Sequence, residues 1–213
     1  MFIHESREKN QPIYSFGQGC EGDPLMNADL LAESIALFRK ELPYGRGKGT
    51  INCNTNASIP EAIELLAAKG LSSVRVSLNS SQPQLYEAYY RPAGYDFKDV
   101  IKSIRIARKK NIYVSLNFLF FPGLSDSQTE LDSLIRLCSL NGVSMIQWRN
   151  LNTDPQWYRA YMNEHAKSPS PHFPSLGLKI FMEKLKKACP WLDYGYFNPW
   201  VGTKARIRAP EIS

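Results

Sequence analysis

With 213 residues, 43% of them hydrophobic and 22% charged, the chain can build one packed core and is excluded from the disordered class. The formal net charge of +6 suits an acidic or nucleotide partner, but the basic residues are dispersed. Segments such as Arg105 to Lys110 and Lys184 to Lys187 read as solvated helix ends, so nucleic acid is not indicated.

The polar stretch Met1 to Gln11 lacks the apolar core of a signal peptide, and no later run is long enough to span a membrane. Ile13 to Phe16 reads as a strand, leading into the loop Gly17-Gln18-Gly19-Cys20-Glu21-Gly22-Asp23-Pro24. That loop has neither GxGxxG spacing nor a following GK[ST], so it is no dinucleotide or phosphate fingerprint. Its glycines allow close approach of another molecule, and Pro24 withholds a donor, which leaves carbonyls as contacts. Asn27 is the expected N-cap of a helix whose face is Leu30, Leu31, Ser34, Ile35 and Phe38, with Pro43 as its stop. Gly45 to Gly49 is a connector, and Thr50 to Asn56 a second strand.

Ser58 and Glu61 predict a capping box for a helix that carries Ile63, Leu65, Leu66 and Ala67 to Gly70. Val74 to Asn79 is a third strand, with Arg75, Ser77 and Asn79 on one face and Val74, Val76 and Leu78 on the other. Tyr86 to Pro92 is a helical turn, and Asp96 caps a helix with Phe97, Val100, Ile101, Ile104 and Ala107 inside. Ile112 to Phe120 is a fourth strand, closed by Pro122-Gly123. A helix lined by Leu131, Leu134, Ile135 and Cys138 runs to Gly142, and Val143 to Arg149 is a fifth strand. After the Ser168 to Pro174 loop, Phe181, Leu185 and Ala188 mark a last helix before the aromatic stretch Asp193 to Val201.

This βα rhythm of roughly 30–35 residues predicts an α/β fold, a sheet or partial barrel of parallel strands. Asp23, Asn56, Asn79, Asn117 and Asn150 stand at or just past successive strand ends, where such folds place their sites. His4, His165 and His172 show no ligand spacing and are read as surface residues. No GxSxG elbow or HExxH helix is present. Cys20, Cys53, Cys138 and Cys189 form no CxxC cluster and no secreted disulfide framework, so a reducing cytoplasm is expected.

These residues together resemble the radical S-adenosylmethionine enzymes. Gly22-Asp23-Pro24 is similar to that family's Gly-Gly-Glu-Pro motif, and Thr55-Asn56 to its Thr-Asn-Gly strand end, with Ala57 in place of glycine. Val76 to Asn79 followed by Tyr89-Tyr90-Arg91-Pro92 resembles its ribose-binding strand and the segment after it. Phe121 to Asp126 resembles a later strand-end loop. The resemblance runs from about Pro12 to Pro155, and it implies a partial (β/α)6 barrel binding S-adenosylmethionine across the strand ends. Gly22 and Asp23 would then offer backbone to the methionine amino group. Asn56 belongs to the same mouth, Ser77 and Asn79 would meet ribose or carboxylate, Arg91 would pair with the carboxylate, and Asn117 would lie near adenine or ribose.

The family's CxxxCxxC, whose thiolates hold a [4Fe–4S] cluster, is absent from this sequence, and its four cysteines are too dispersed to substitute. No metal ligand is therefore assigned. The expected organisation is a polar segment 1–11, a barrel 12–155 incomplete at its N-terminus, and an extension 156–213 with one helix. Three functions stay open: a truncated or split enzyme core lacking its cluster-bearing segment; a catalytically silent binding or docking module, completed by another chain that carries the missing unit; or an unrelated α/β-barrel enzyme. The substrate is unread; Trp148, Trp157, Tyr158 and Tyr161 are candidates for its lining.

Overall fold

In the computed structural model, residues 12–17, 22–41, 49–165, 175–202 and 209–210 are described. His4, Cys20, His172, Pro43, most of the Gly45 to Gly49 connector and the Ser168 to Pro174 loop lie outside them.

Six strands pair in the order in which they occur: β1 (Ile13–Phe16), β2 (Thr50–Thr55), β3 (Ser73–Leu78), β4 (Tyr113–Phe120), β5 (Met145–Asn150) and the two-residue β6 (Asp193–Tyr194). Every pairing is parallel. The sheet is open, with β1 and β6 at its edges, and Ile13 on β1 is exposed. Helices α1 (Ala28–Glu41), α2 (Pro60–Lys69), α3 (Pro83–Tyr90), α4 (Phe97–Lys109), α5 (Gln128–Asn141), α6 (Pro155–His165) and α7 (Leu178–Ala188) fill the crossovers. This is the partial α/β barrel that the sequence predicts.

Strand alternation decides the two faces. Ile51 and Cys53, Val74, Val76 and Leu78, Val114, Leu116 and Phe118, and Ile146 are buried in one apolar core. Their alternates are polar: Asn52 and Asn54 on β2, Arg75 and Ser77 on β3, Ser115 and Asn117 on β4, Gln147 and Arg149 on β5. A hydrophilic inner face lined from adjacent strands is thus built into the register, which places Ser77 beside Asn117 and Asn117 beside Gln147.

Three local expectations change. The helix after β1 begins before Asn27, because a 3-10 turn over Pro24–Asn27 runs straight into α1, and Asp23 is its cap. Ile35 and Phe38 are buried as expected, but Leu30 is exposed and Ala32 is buried in its place on α1. Ser58 and Glu61 form no capping box: Pro60 opens α2 and the cap position is Ile59. The Asn56 side chain takes the Ser58 N–H (3.0 Å), and Glu61 pairs with Lys102 on α4 (2.8 Å). The Asp96 cap and the Gly70 and Gly142 helix ends form as expected; Asp96 makes a full capping box with Asp99, and both glycines are left-handed. Helix α6, not anticipated from the sequence, starts at Pro155 with Asp154 accepting from the Gln156 N–H at 2.7 Å.

Beyond β6 the chain turns back over the inner face. Arg149 donates to the Tyr196 carbonyl (3.0 Å), and Gln147 to Asn198 Oδ1 (3.0 Å). The N–H groups of Val201 and Gly202 both donate to Oγ1 of buried Thr50 at the start of β2 (2.7 and 2.9 Å). Residues 196–202 therefore form a strap from β5 to β2.

Candidate functional site

The mouth of the site is the C-terminal end of β1 to β5. Asp23 is its mechanical centre. Its carboxylate accepts from Thr55 Oγ1 (2.7 and 2.9 Å), from the Asn56 N–H (2.6 Å) and from the Leu25 N–H (3.0 Å). One side chain thus caps the 3-10 turn and clamps the loop after β1 onto the end of β2. The clamp leaves Gly22 exposed at φ +80°, and among the described residues no hydrogen bond ties down its backbone. Thr55 Oγ1 also accepts from the Ala57 N–H (2.9 Å), and Ala57 is held at φ +59°. That left-handed angle favours glycine, so the strained position coincides with the one where the resemblance has glycine.

Ser77 and Asn117 sit side by side on β3 and β4, both half-buried. The Ser77 hydroxyl makes no hydrogen bond to another described residue; Asn117 uses only its oxygen, accepting from Arg149 Nε at 2.8 Å. A hydroxyl and an amide N–H₂ thus remain available at the mouth.

The other predicted residues are engaged elsewhere. Asn79 is buried, donates to the Leu85 carbonyl (2.9 Å) and lines a small cavity with Glu130 and Tyr158. Its side chain serves the loop that starts α3. Arg91 is exposed in the left-handed position that ends α3, with its guanidinium over the Tyr161 ring at 5.9 Å. The Asn56 side-chain oxygen is spent on its own turn, leaving its amide N–H₂ and its backbone carbonyl. Asn150 ends β5 and is exposed. Of the aromatic candidates, Trp148 packs against Phe118 and Phe181 on the helix side and Tyr158 is buried, whereas Trp157 is exposed and stacks on Tyr161.

Sequence reasoning missed Glu130, at the start of α5. It is fully buried, and four donors converge on it: Ser80 Oγ (2.5 Å) and Gln82 Nε2 (2.8 Å) on one oxygen, Ser81 N (2.6 Å) and Ser81 Oγ (2.5 Å) on the other. Burial pushes its pKa up, while these hydrogen bonds pull it down. The network fixes the segment that leaves β3 immediately after Ser77 and Leu78. Gln147 and Arg149 were missed as well, although strand alternation from Met145 would have placed both on the inner face.

The three cysteines among the described residues do not suit an iron–sulfur cluster. Cys53, Cys138 and Cys189 are buried on separate elements. Burial, reinforced by the nearby Asp23 charge, pushes the Cys53 thiol up to about 12, and burial also raises Cys138 and Cys189. Cys138 and Cys189 are neighbours, but Cys53 is on another strand, and thiols that burial keeps protonated are poor thiolate ligands. Among the described residues no group of three His, Cys, Asp or Glu side chains could hold a metal, and no helix is long and apolar enough to cross a membrane.

Comparison with known proteins agrees with the architecture. The chain is 26% identical over 120 residues to the dual-specificity RNA methyltransferase RlmN of Oleidesulfovibrio alaskensis, a match covering 55% of this chain and 34% of that protein. The RlmN of Xanthomonas campestris is 28% identical over 121 residues, covering 54% and 30%. The chain thus spans about a third of the length of the curated relatives it matches. Among solved structures, it superposes on HydG, a maturase of the [FeFe]-hydrogenase, with a TM-score of 0.56 at 19% identity, over 91% of this chain and 41% of that one. It superposes on a domain of the pyruvate-formate lyase-activating enzyme from Bacteroides vulgatus with a TM-score of 0.57 at 9% identity, over 87% and 99%. The family model of the radical SAM superfamily matches residues 13–135, which run from β1 into the middle of α5 and take in the clamped loop and the Ser77–Asn117 pair, and the chain belongs to that superfamily.

Proposed function

We propose that this chain binds S-adenosylmethionine at the C-terminal ends of its strands. The observation that carries the reading is the Asp23 clamp, which presents the Gly22 backbone at the mouth without engaging it. A carbonyl there suits the cofactor's amino group, while the Ser77 hydroxyl and the Asn117 amide suit its ribose and carboxylate oxygens. Arg91 supplies a positive charge at the rim. Asn79 is left out of the ligand set, because its amide already has a backbone partner.

The cysteines of this sequence favour a second element in the proposal: the chain by itself does not cleave the cofactor. A [4Fe–4S] cluster supplies the electron for that cleavage, and its thiolates would have to come from outside these 213 residues. Anaerobic reconstitution of the purified chain with iron and sulfide is expected to give no stoichiometric cluster. Retained iron with a thiolate-to-iron absorption band would overturn this part.

Calorimetric titration with S-adenosylmethionine tests the binding itself. We expect measurable affinity in the wild type. Ser77→Ala should bind roughly three- to tenfold more weakly, the loss of one hydrogen bond, and Arg91→Ala about tenfold more weakly, the loss of a charge-assisted one. Lys98→Ala, on the exposed side of α4, should bind as the wild type does. No heat at millimolar cofactor would favour a silent docking module, and equal affinity in all four proteins would remove Ser77 and Arg91 from the site.

A further inference from the structure

On the inner face, Arg75 and Arg149 are two positive charges with no negative partner among the described residues. Arg75 lies on β3 one inward position below Ser77, and Arg149 lies near the end of β5. Because Val74 and Val76 face the helices, as do Ile146 and Trp148, the alternation sends both arginines inward. Both are half-buried. The same neutral oxygen, Gln147 Oε1, accepts from Arg75 Nη1 at 3.3 Å and from Arg149 Nη2 at 2.9 Å.

Among the described residues, neither guanidinium has an ion pair. Asp23 is occupied by Thr55 and Asn56. Asp193, which alternates with the helix-facing Tyr194 and aligns with Met145, pairs with neither arginine. Arg149 is held in place by Asn117 Oδ1 (2.8 Å), the Tyr196 carbonyl (3.0 Å) and the Tyr196 ring (4.9 Å). Arg75 is not: apart from its long contact to Gln147, its donors have no protein acceptor, and none of them is sealed from solvent.

Bringing two like charges together in a partly desolvated cavity is unfavourable, and an anion between them reverses the sign of that interaction. Burial and the Arg149 charge already hold the Arg75 pKa below its ordinary value. A planar guanidinium with free donors is suited to bidentate capture of two oxygens. We propose that Arg75 and Arg149, one below and one above the level of the Ser77–Asn117 pair, receive a carboxylate or phosphate group of a small-molecule substrate bound against the inner face beside the cofactor. Gln147 spaces the two guanidiniums, and the Tyr196 strap closes one side. The substrate role rests on the cofactor reading above; the anion site itself does not.

The test uses the full chain at low ionic strength, titrated separately with pyrophosphate, citrate and S-adenosylmethionine. Pyrophosphate or citrate should bind the wild type and raise its melting temperature. Arg75→Gln should weaken that binding at least tenfold, and Arg75→Lys, which keeps charge but not the fork, by a few fold. Arg149→Gln should weaken it too; Arg75 is the primary test because Arg149 also anchors the strap. A preference for pyrophosphate identifies a phosphorylated substrate, and one for citrate a carboxylic acid. Cofactor affinity should be unchanged in Arg75→Gln. If cofactor affinity falls along with that for the anion, the arginines serve the cofactor's own carboxylate and the proposal is overturned. It is equally overturned if neither anion binds, or if either binds Arg75→Gln as well as wild type. If the cofactor fails to bind but the Arg75-dependent anion site persists, the cofactor reading fails and the anion site stands.

Discussion

Glu130→Ala is expected to destabilise the protein by about 3–5 kcal/mol, the cost of breaking a buried charged network. Two hydroxyls, a backbone N–H and an amide N–H₂ would lose their acceptor together, and all but the half-buried Gln82 amide are buried. For a chain of this size that is a fall of roughly 10 °C or more in melting temperature. Glu130→Gln keeps the shape but turns one acceptor into a donor facing the Ser81 or the Gln82 N–H, so about 1–3 kcal/mol should still be lost. The effect reaches the site, because the loop freed in this way begins right after β3. Cofactor and anion affinities should drop in Glu130→Ala even where the protein remains folded. Urea denaturation combined with calorimetry reads both, and a loss under 1 kcal/mol would mean that the network does not hold the loop.

Gly17→Ala should be nearly as costly, for a different reason. Gly17 stands at φ +83°, and a Cβ there would lie 2.2 Å from the Asn54 carbonyl oxygen. The left-handed angle alone costs about 1–2 kcal/mol. The clash with main chain on a paired strand cannot be relieved by rotating a side chain, and overpacking of this kind adds about 1–3 kcal/mol. Gly17 also accepts from Asn54 Nδ2 at 2.8 Å, so a shift would pull on the inner face of β2. Gly22→Ala is the matched control: it has a similar angle, φ +80°, but nothing within 4 Å of the added carbon. It should lose only the backbone cost, and its melting temperature should fall clearly less than that of Gly17→Ala. Equal losses would show that sterics at Gly17 are relieved by movement of the loop.

The first five strands were legible because each obeys period two over four or more residues and ends at or just before a glycine, proline or asparagine. The inward polarity of Arg75 and Ser77 was legible for the same reason. Helix starts were less so. Ser58 and Glu61 have capping-box spacing, but Pro60 between them sets the start, and the Asn56 turn claims the Ser58 N–H. Asp23, read as a source of backbone contacts, turned out to clamp through its side chain onto residues 32 and 33 positions away. Asn79 continues the alternation of β3 on paper, yet the strand ends at Leu78 and the loop takes the side chain elsewhere. Glu130 meets Ser80 and Ser81 across about 50 residues, and no local spacing encodes such a meeting.

The strap has a consequence for the order of assembly. β1 to β5 are made first, each crossover returning to the strand before it, so the parallel sheet can pair progressively as it is synthesised. The bonds from Val201 and Gly202 to Thr50 span 151 and 152 residues and can form only after every strand exists. Contacts of such separation pay their loop-closure entropy late and slow the last step of folding. Arg149 and Gln147 receive Tyr196 and Asn198 in that same step. The scaffold of the barrel and the competence of its interior should therefore appear at different times, with secondary structure regained before anion binding when the denatured chain is returned to native buffer.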